Sequence, residues 1–124
     1  MKYLLDSNII IRLVLGRGDV LRARAAACDD GDMVTSSIAF AEVAVGSHKG
    51  KLPILDRLQA FVEEVQVLDF DYKAALAYAE LPFKRGSYDR LIAAHALSHG
   101  LTLVTDNVAD FADVPGLTVE NWTK

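Results

Sequence analysis

The sequence predicts an α/β protein, a three-layer α/β/α sandwich around a short, mainly parallel sheet. Three observations point there. Short, nearly continuous apolar runs such as "YLL", "VQVL" and "LTLV" alternate with longer stretches of helical period, the pattern of strands covered on both faces. No internal repeat, low-complexity tract or linker interrupts the chain, so a single domain spanning 1–124 is expected. A chain of 124 residues buries about two-thirds of its extended surface without staples. With Cys28 as the only cysteine, no intrachain disulfide or zinc knuckle is available.

The elements follow in order. Tyr3 to Leu5 form an apolar strand that stops at Asp6, and a helix begins near Asn8. "MVTSS" starts as a strand and passes into helix-capping chemistry at Thr35, Ser36 and Ser37. "SIAFAEVAVGSHKG" is a helix stopped by glycine and basic residues. "PILDRLQAFVEEV" opens on proline and repeats apolar residues at Ile54, Leu55, Leu58, Phe61, Val62 and Val65, a helical spacing. "VQVLDF" is a strand, "DYKAALAYAEL" a helix closed by Pro82, and "SYDRLIAAHALSHG" a helix ending at Gly100. "LTLVTDN" and "LTVENW" supply the last two strands. The small and aliphatic side chains of "VLRARAAAC" and "KAALAYAEL" either pack inside one subunit or leave apolar surface for a partner chain.

Seventeen acidic and thirteen basic residues give a formal charge of −4, whereas nucleic-acid binders are usually basic. Without Asp6, Glu42, Asp89 and Asp106 the two signs balance, so the acidic excess fits one pocket that a divalent cation would neutralise. Arg12, Arg17, Arg22 and Arg24, then Lys49, Lys51 and Arg57, then Lys84, Arg85 and Arg90 form basic clusters outside it, most of them explicable as solvated helix faces. Asp6 and Arg12 interrupt anything that could serve as a signal peptide, and no apolar run approaches the eighteen or so residues of a membrane span. A soluble, cytoplasmic protein is expected.

The four acids carry the chemistry. In open parallel sheets ligands collect outside the carboxyl ends of the strands, and Asp6 and Asp106 each follow an apolar strand by one or two residues. Singly, Asp6 also reads as a helix cap, Asp106 as a turn acid, and Asp89 as a charge favoured by the helix dipole. Glu42 is different, because "IAFAEVAV" reads as a helix buried all round with no Lys or Arg within a turn. An unpaired carboxylate there would cost several kcal/mol, about the desolvation penalty of an ion, or be forced to take up a proton. Oxygen ligands without Cys or His select Mg²⁺ or Mn²⁺. His95 and His99, one turn apart, lack a zinc motif, and His95 reads as a packed core histidine. Carboxylates around such an ion suit hydrolysis of a phosphodiester by water, leaving 5′-phosphate and 3′-hydroxyl ends.

"LLDSNI", "TSSIAFAEVAVG", "GSYDRLIAAHALSHGLTLVTDN" and "VPGLTVENW" together resemble the PIN-domain ribonucleases and, within them, the VapC-type toxins of toxin–antitoxin pairs. The resemblance covers nearly the whole chain. It implies a PIN-like fold and Mg²⁺ or Mn²⁺ held by Asp6, Glu42, Asp89 and Asp106, with Asn8 and Thr105 hydrogen-bonding to those acids. It further implies a homodimer, a cognate antitoxin whose tail occupies the acidic groove, and structured RNA, often tRNA, as substrate. Two features depart from the pattern. Many relatives carry asparagine where this chain has Asp106, with an acid a few residues on, so Asp110 is the alternative fourth position. The segment "AELPFKRGSYD" is short, bringing Lys84 and Arg85 close to the site mouth, where with Arg90 they are candidates for RNA phosphate contacts. Other readings are a catalytically inactive PIN fold that binds RNA or protein, and a phosphoacceptor receiver domain. The latter would need a late lysine, and none occurs between Lys84 and Lys124.

Overall fold

A computed structural model describes all 124 residues, Met1–Lys124. The elements are β1 Tyr3–Leu5, α1 Ser7–Val14, α2 Asp19–Ala26, β2 Met33–Ser36, α3 Ser37–His48, α4 Leu55–Phe61, β3 Gln66–Leu68, α5 Tyr72–Ala79, α6 Tyr88–Ser98, β4 Thr102–Val104 and β5 Val119–Glu120. A 3-10 turn at Val108–Phe111 lies between the last two strands. The sheet runs β3-β2-β1-β4-β5 and every pairing is parallel. The chain steps from β1 to β3 in one direction and returns past β1 to β4, and with the right-handed crossovers that parallel strands take this puts α1 to α4 on one face and α5 and α6 on the other. This order differs from the 2-1-3-4-5 order of receiver domains, so that reading falls.

Short polar side chains set where the helices start. Asp6, Ser36, Asp71 and Ser87 each accept a backbone N–H at the head of α1, α3, α5 and α6. Leu4, Leu5, Val34, Leu103 and Val104 from the strands meet Ile9 and Ile10 of α1 and Ile92, Ala93 and Ala96 of α6 in one core. The "VENW" ending is a clasp. Trp122 is buried edge-on to Tyr3 with ring centroids 4.8 Å apart, the Arg24 guanidinium lies 5.0 Å from its ring centre, and its Nε1–H donates to Glu120 at 2.9 Å.

Two expectations need correction. The helix starting after Pro53 ends at Phe61 and not at Val65, because Val65 fills the core from the turn leading into β3. More consequentially, α3 is not buried all round. Ala39 and Val43, spaced i and i+4, are its buried core residues, Ile38, Phe40 and Ala44 are half-buried against the same core, and Ala41 and Val45 are exposed. The helix is seated by one buried stripe with half-buried flanks, which leaves Ala41 and Val45 on the open side next to Glu42.

Candidate active site

The strand order reverses between β1 and β4, and Leu5 is in register with both Thr35 and Val104. The next residues along, Asp6, Ser36 and Thr105, therefore stand together at the carboxyl edge of the switch point. The Asp6 N–H donates to the Val104 carbonyl at 2.9 Å, which pins its backbone there. Its side chain is divided. Oδ1 accepts the Ser7 N–H at 2.8 Å as the helix cap, and Oδ2 accepts the Thr105 hydroxyl at 2.8 Å. Capping and membership of the site belong to the same carboxylate.

Glu42 of α3 and Asp89 of α6 reach the same crevice. Burial pushes the Asp6 carboxyl up, the Thr105 and Ser7 hydrogen bonds pull it back, and Asp89 and Asp106 add repulsion. Glu42 is pushed up to about 7, first by burial and then by the charges of Asp6 and Asp89. Asp89 is raised by burial and by Asp110, with Lys84 opposing. The Glu42 Oε1 atom is buried with no hydrogen-bond partner. With Glu42, the side chains of Ile38, Ala41, Val45 and Tyr88 line a mostly apolar recess of about 290 Å³.

The remaining sequence candidates separate. Asp106 adjoins Asp6 but is already engaged, its Oδ2 accepting from Arg12 Nη2 at 3.2 Å and its Oδ1 from Asn8 Nδ2 at 3.5 Å. Asp110 is exposed on the 3-10 turn near Asp89. Lys84 and Arg85 are exposed in the loop before α6. Arg90 is a correction. It is only 4% exposed and pairs with Asp113, because the helix turn that points Asp89 into the cleft turns the next residue inward. Arg90 ties α6 to the chain after the 3-10 turn and is not presented to a ligand. His95 is fully buried, its Nδ1 2.7 Å from Ser36 Oγ, and so links α6 to the cap of α3. The basic pair that does face the cleft edge is Arg12 and Arg17, which line a cavity with Asn8, Ile11 and Asp106. The sequence signal for Arg12 was its i+4 spacing from Asn8 on α1.

These residues fit a hard divalent ion. A buried carboxylate oxygen without a donor, facing two further carboxylates that repel it, is relieved by a proton or by a cation. The donor set is oxygen alone, which suits Mg²⁺ or Mn²⁺ over zinc. The acids lie near enough to repel one another, and no three such side chains stand as a finished ligand set.

Fold and crevice define a class: a parallel-sheet α/β domain with an acidic site at its switch point. Residues 3–117 match the PIN domain family model. The tRNA(fMet)-specific endonuclease VapC of Salmonella typhimurium is 34% identical over 131 residues, covering 98% of each chain. Ribonuclease VapC2 of Rickettsia felis is 31% identical over the full length of both. Among solved structures, VapBC2 from Rickettsia felis bound to a promoter DNA fragment superposes with a TM-score of 0.86 at 30% identity, over 98% of this chain and 99% of that one. DNA-bound VapBC from Salmonella typhimurium gives 0.84 at 30% identity, over 98% of both. The chain belongs to the PIN-domain family, among the VapC ribonucleases.

Proposed function

We propose that this protein is a Mg²⁺- or Mn²⁺-dependent endoribonuclease that hydrolyses RNA to 5′-phosphate and 3′-hydroxyl ends, acting as the toxin of a toxin–antitoxin pair on tRNA or another structured RNA. The observation that carries it is the partnerless buried oxygen of Glu42 among Asp6 and Asp89 at the switch point. Asp6, Glu42 and Asp89 would hold the ion, with Asp106 as the fourth acid and Asp110 as the alternative. A bound divalent ion acidifies water and offsets phosphodiester charge. The protein's own groups do the rest. Thr105 fixes one oxygen of Asp6, the α1 cap fixes the other, and Asn8 orients Asp106, so the carboxylates are held in place before substrate arrives. Lys84 and Arg85, exposed in the loop before α6, would meet RNA phosphates. A cognate antitoxin and a second copy of the chain are the expected protein partners. Exposed Val45 and Leu55 on α3 and α4, and Tyr72 and Leu76 on α5, supply apolar surface for them, and light scattering showing only monomers would remove the homodimer.

The test is cleavage of tRNA and total RNA by the purified chain with Mg²⁺ or Mn²⁺, with the ends mapped. Glu42→Gln should reduce cutting to background with the circular dichroism spectrum unchanged. RNA that is bound but left intact by the wild type would instead make this a PIN fold that binds without cutting.

A further inference from the structure

The cavity beside the acidic crevice has a composition that the hydrolytic chemistry does not use. It measures about 330 Å³ and is lined by Asn8, Ile11, Arg12, Arg17 and Asp106. The chain builds it deliberately at the end of α1. After Leu15 the backbone reverses through Gly16, at φ +67°, and the Arg17 N–H donates to the Arg12 carbonyl at 2.8 Å. A side chain at Gly16 would disfavour that left-handed turn. The turn brings two guanidinium groups, five residues apart in sequence, to one wall of one cavity.

Their charges are not spent in the same way. Arg12 gives one nitrogen to Asp106, and its side chain keeps 43% of its exposure. Arg17 is exposed and has no carboxylate within salt-bridge distance. A guanidinium carries five N–H donors in a planar fork, so Arg12 has donors left over and Arg17 has all of its own. Asp106 and Asn8 belong to both this cavity and the crevice, so a group seated here adjoins whatever occupies the crevice.

We propose that this cavity is a phosphate subsite for the RNA strand, in which Arg12 and Arg17 bind a backbone phosphate next to the one being cut, and in which Asp106 is the internal anion that holds Arg12 until that phosphate replaces it. The proposal rests on the ribonuclease reading. It assigns Asp106 a second role: a carboxylate that competes with RNA for Arg12. Arg12 holds Asp106 through a single nitrogen, so a phosphate can exchange that one contact for two parallel N–H···O bonds from the planar fork. Arg17, unpaired, provides the net positive charge that draws the phosphate in.

The experiment measures binding of a tRNA and of a single-stranded RNA oligonucleotide to the full chain carrying Glu42→Gln, which keeps the RNA whole, across a range of salt concentration. In that background Arg12→Gln and Arg17→Gln should each weaken binding several-fold. Each should also lower the slope of log affinity against log salt for the oligonucleotide, and the double variant should lower it by about 0.7, the loss of that one phosphate. Asp106→Asn should do the opposite and tighten binding, because it removes the competing anion. A pair that merely stabilised the fold would weaken binding whichever partner was changed, so opposite signs for Arg12 and Asp106 are the signature. Unchanged slopes with both arginine variants, while the Glu42→Gln chain binds RNA and the wild type cuts it, overturn the subsite alone and leave the cavity for an acidic side chain of a protein partner. Wild-type protein that neither binds nor cuts RNA overturns the ribonuclease reading and the subsite together.

Discussion

At the scale of single residues the site is defined by opposed demands on a few side chains. Glu42 carries a buried oxygen without a donor and a carboxyl raised from 4.5 to about 7, so at neutral pH the folded protein binds a proton that the unfolded chain releases. Where the folded state holds more protons, stability falls as pH rises. In a chelating buffer the melting temperature should therefore climb as pH falls from about 8 toward 6.5. Below the ordinary histidine value of 6.5, His95 opposes the trend, since burial first and His99 second lower its pKa and the unfolded chain then takes the extra proton. Glu42→Gln should flatten the upper part of this profile, and millimolar Mn²⁺ should raise the melting temperature by binding the folded state alone. A melting temperature indifferent to both would mean that the carboxylates are neither crowded nor ion-binding. Asp6 shows why single-residue readings stay ambiguous: its two oxygens serve a helix cap and Thr105, and no local pattern separates the two uses.

At the scale of elements, the acids are placed by caps and by one buried polar link. Ser36 ends β2, caps α3 through the Ile38 N–H at 3.0 Å, and meets His95 of α6 at 2.7 Å. The helices bearing Glu42 and Asp89 are thereby tied to each other as well as to the sheet. Ser36→Ala removes a cap and leaves a buried ring nitrogen unpaired, and should cost about 2 kcal/mol in urea denaturation, roughly one for each loss. Loss of cleavage beyond what that destabilisation explains would show that the link also sets the spacing of the two acids. The strand and helix positions were legible in the sequence because period and capping residues are local signals. The orientation of α3 was not. "IAFAEVAV" is apolar at every turn, so its period does not reveal that Ala39 and Val43 are the fully buried pair while Ala41 and Val45 are exposed. The inward turn of Arg90 is hidden from local pattern for a different reason, since its partner Asp113 lies 23 residues along the chain.

The whole molecule is closed by its last residues. β5 pairs with β4, and the Thr105 N–H donates to the Glu120 carbonyl at 3.0 Å, so the terminal strand supports the residue that holds Asp6. Trp122 locks that strand against Tyr3 and Arg24. Trp122→Ala should destabilise the fold by about 3–5 kcal/mol, the usual cost of emptying a large buried aromatic site, and a smaller change in the denaturation midpoint would mean that the clasp contributes little. Because the clasp supports Thr105, the same variant should bind divalent ions less tightly under conditions where it remains folded.

The sequence by itself determined the alternation of strands and helices, the parallel sheet and the motifs that match the PIN family, and it supplied the four acids as candidates for an oxygen-only donor set. These rest on composition and on spacings of a few residues, which local physics fixes. Only the tertiary structure decided that one face of α3 opens on the crevice, that Arg90 turns inward to Asp113, and that Arg12 holds Asp106 across ninety-four positions of chain. Pairings of that separation depend on where the whole sheet brings its edges together, and no local period encodes them.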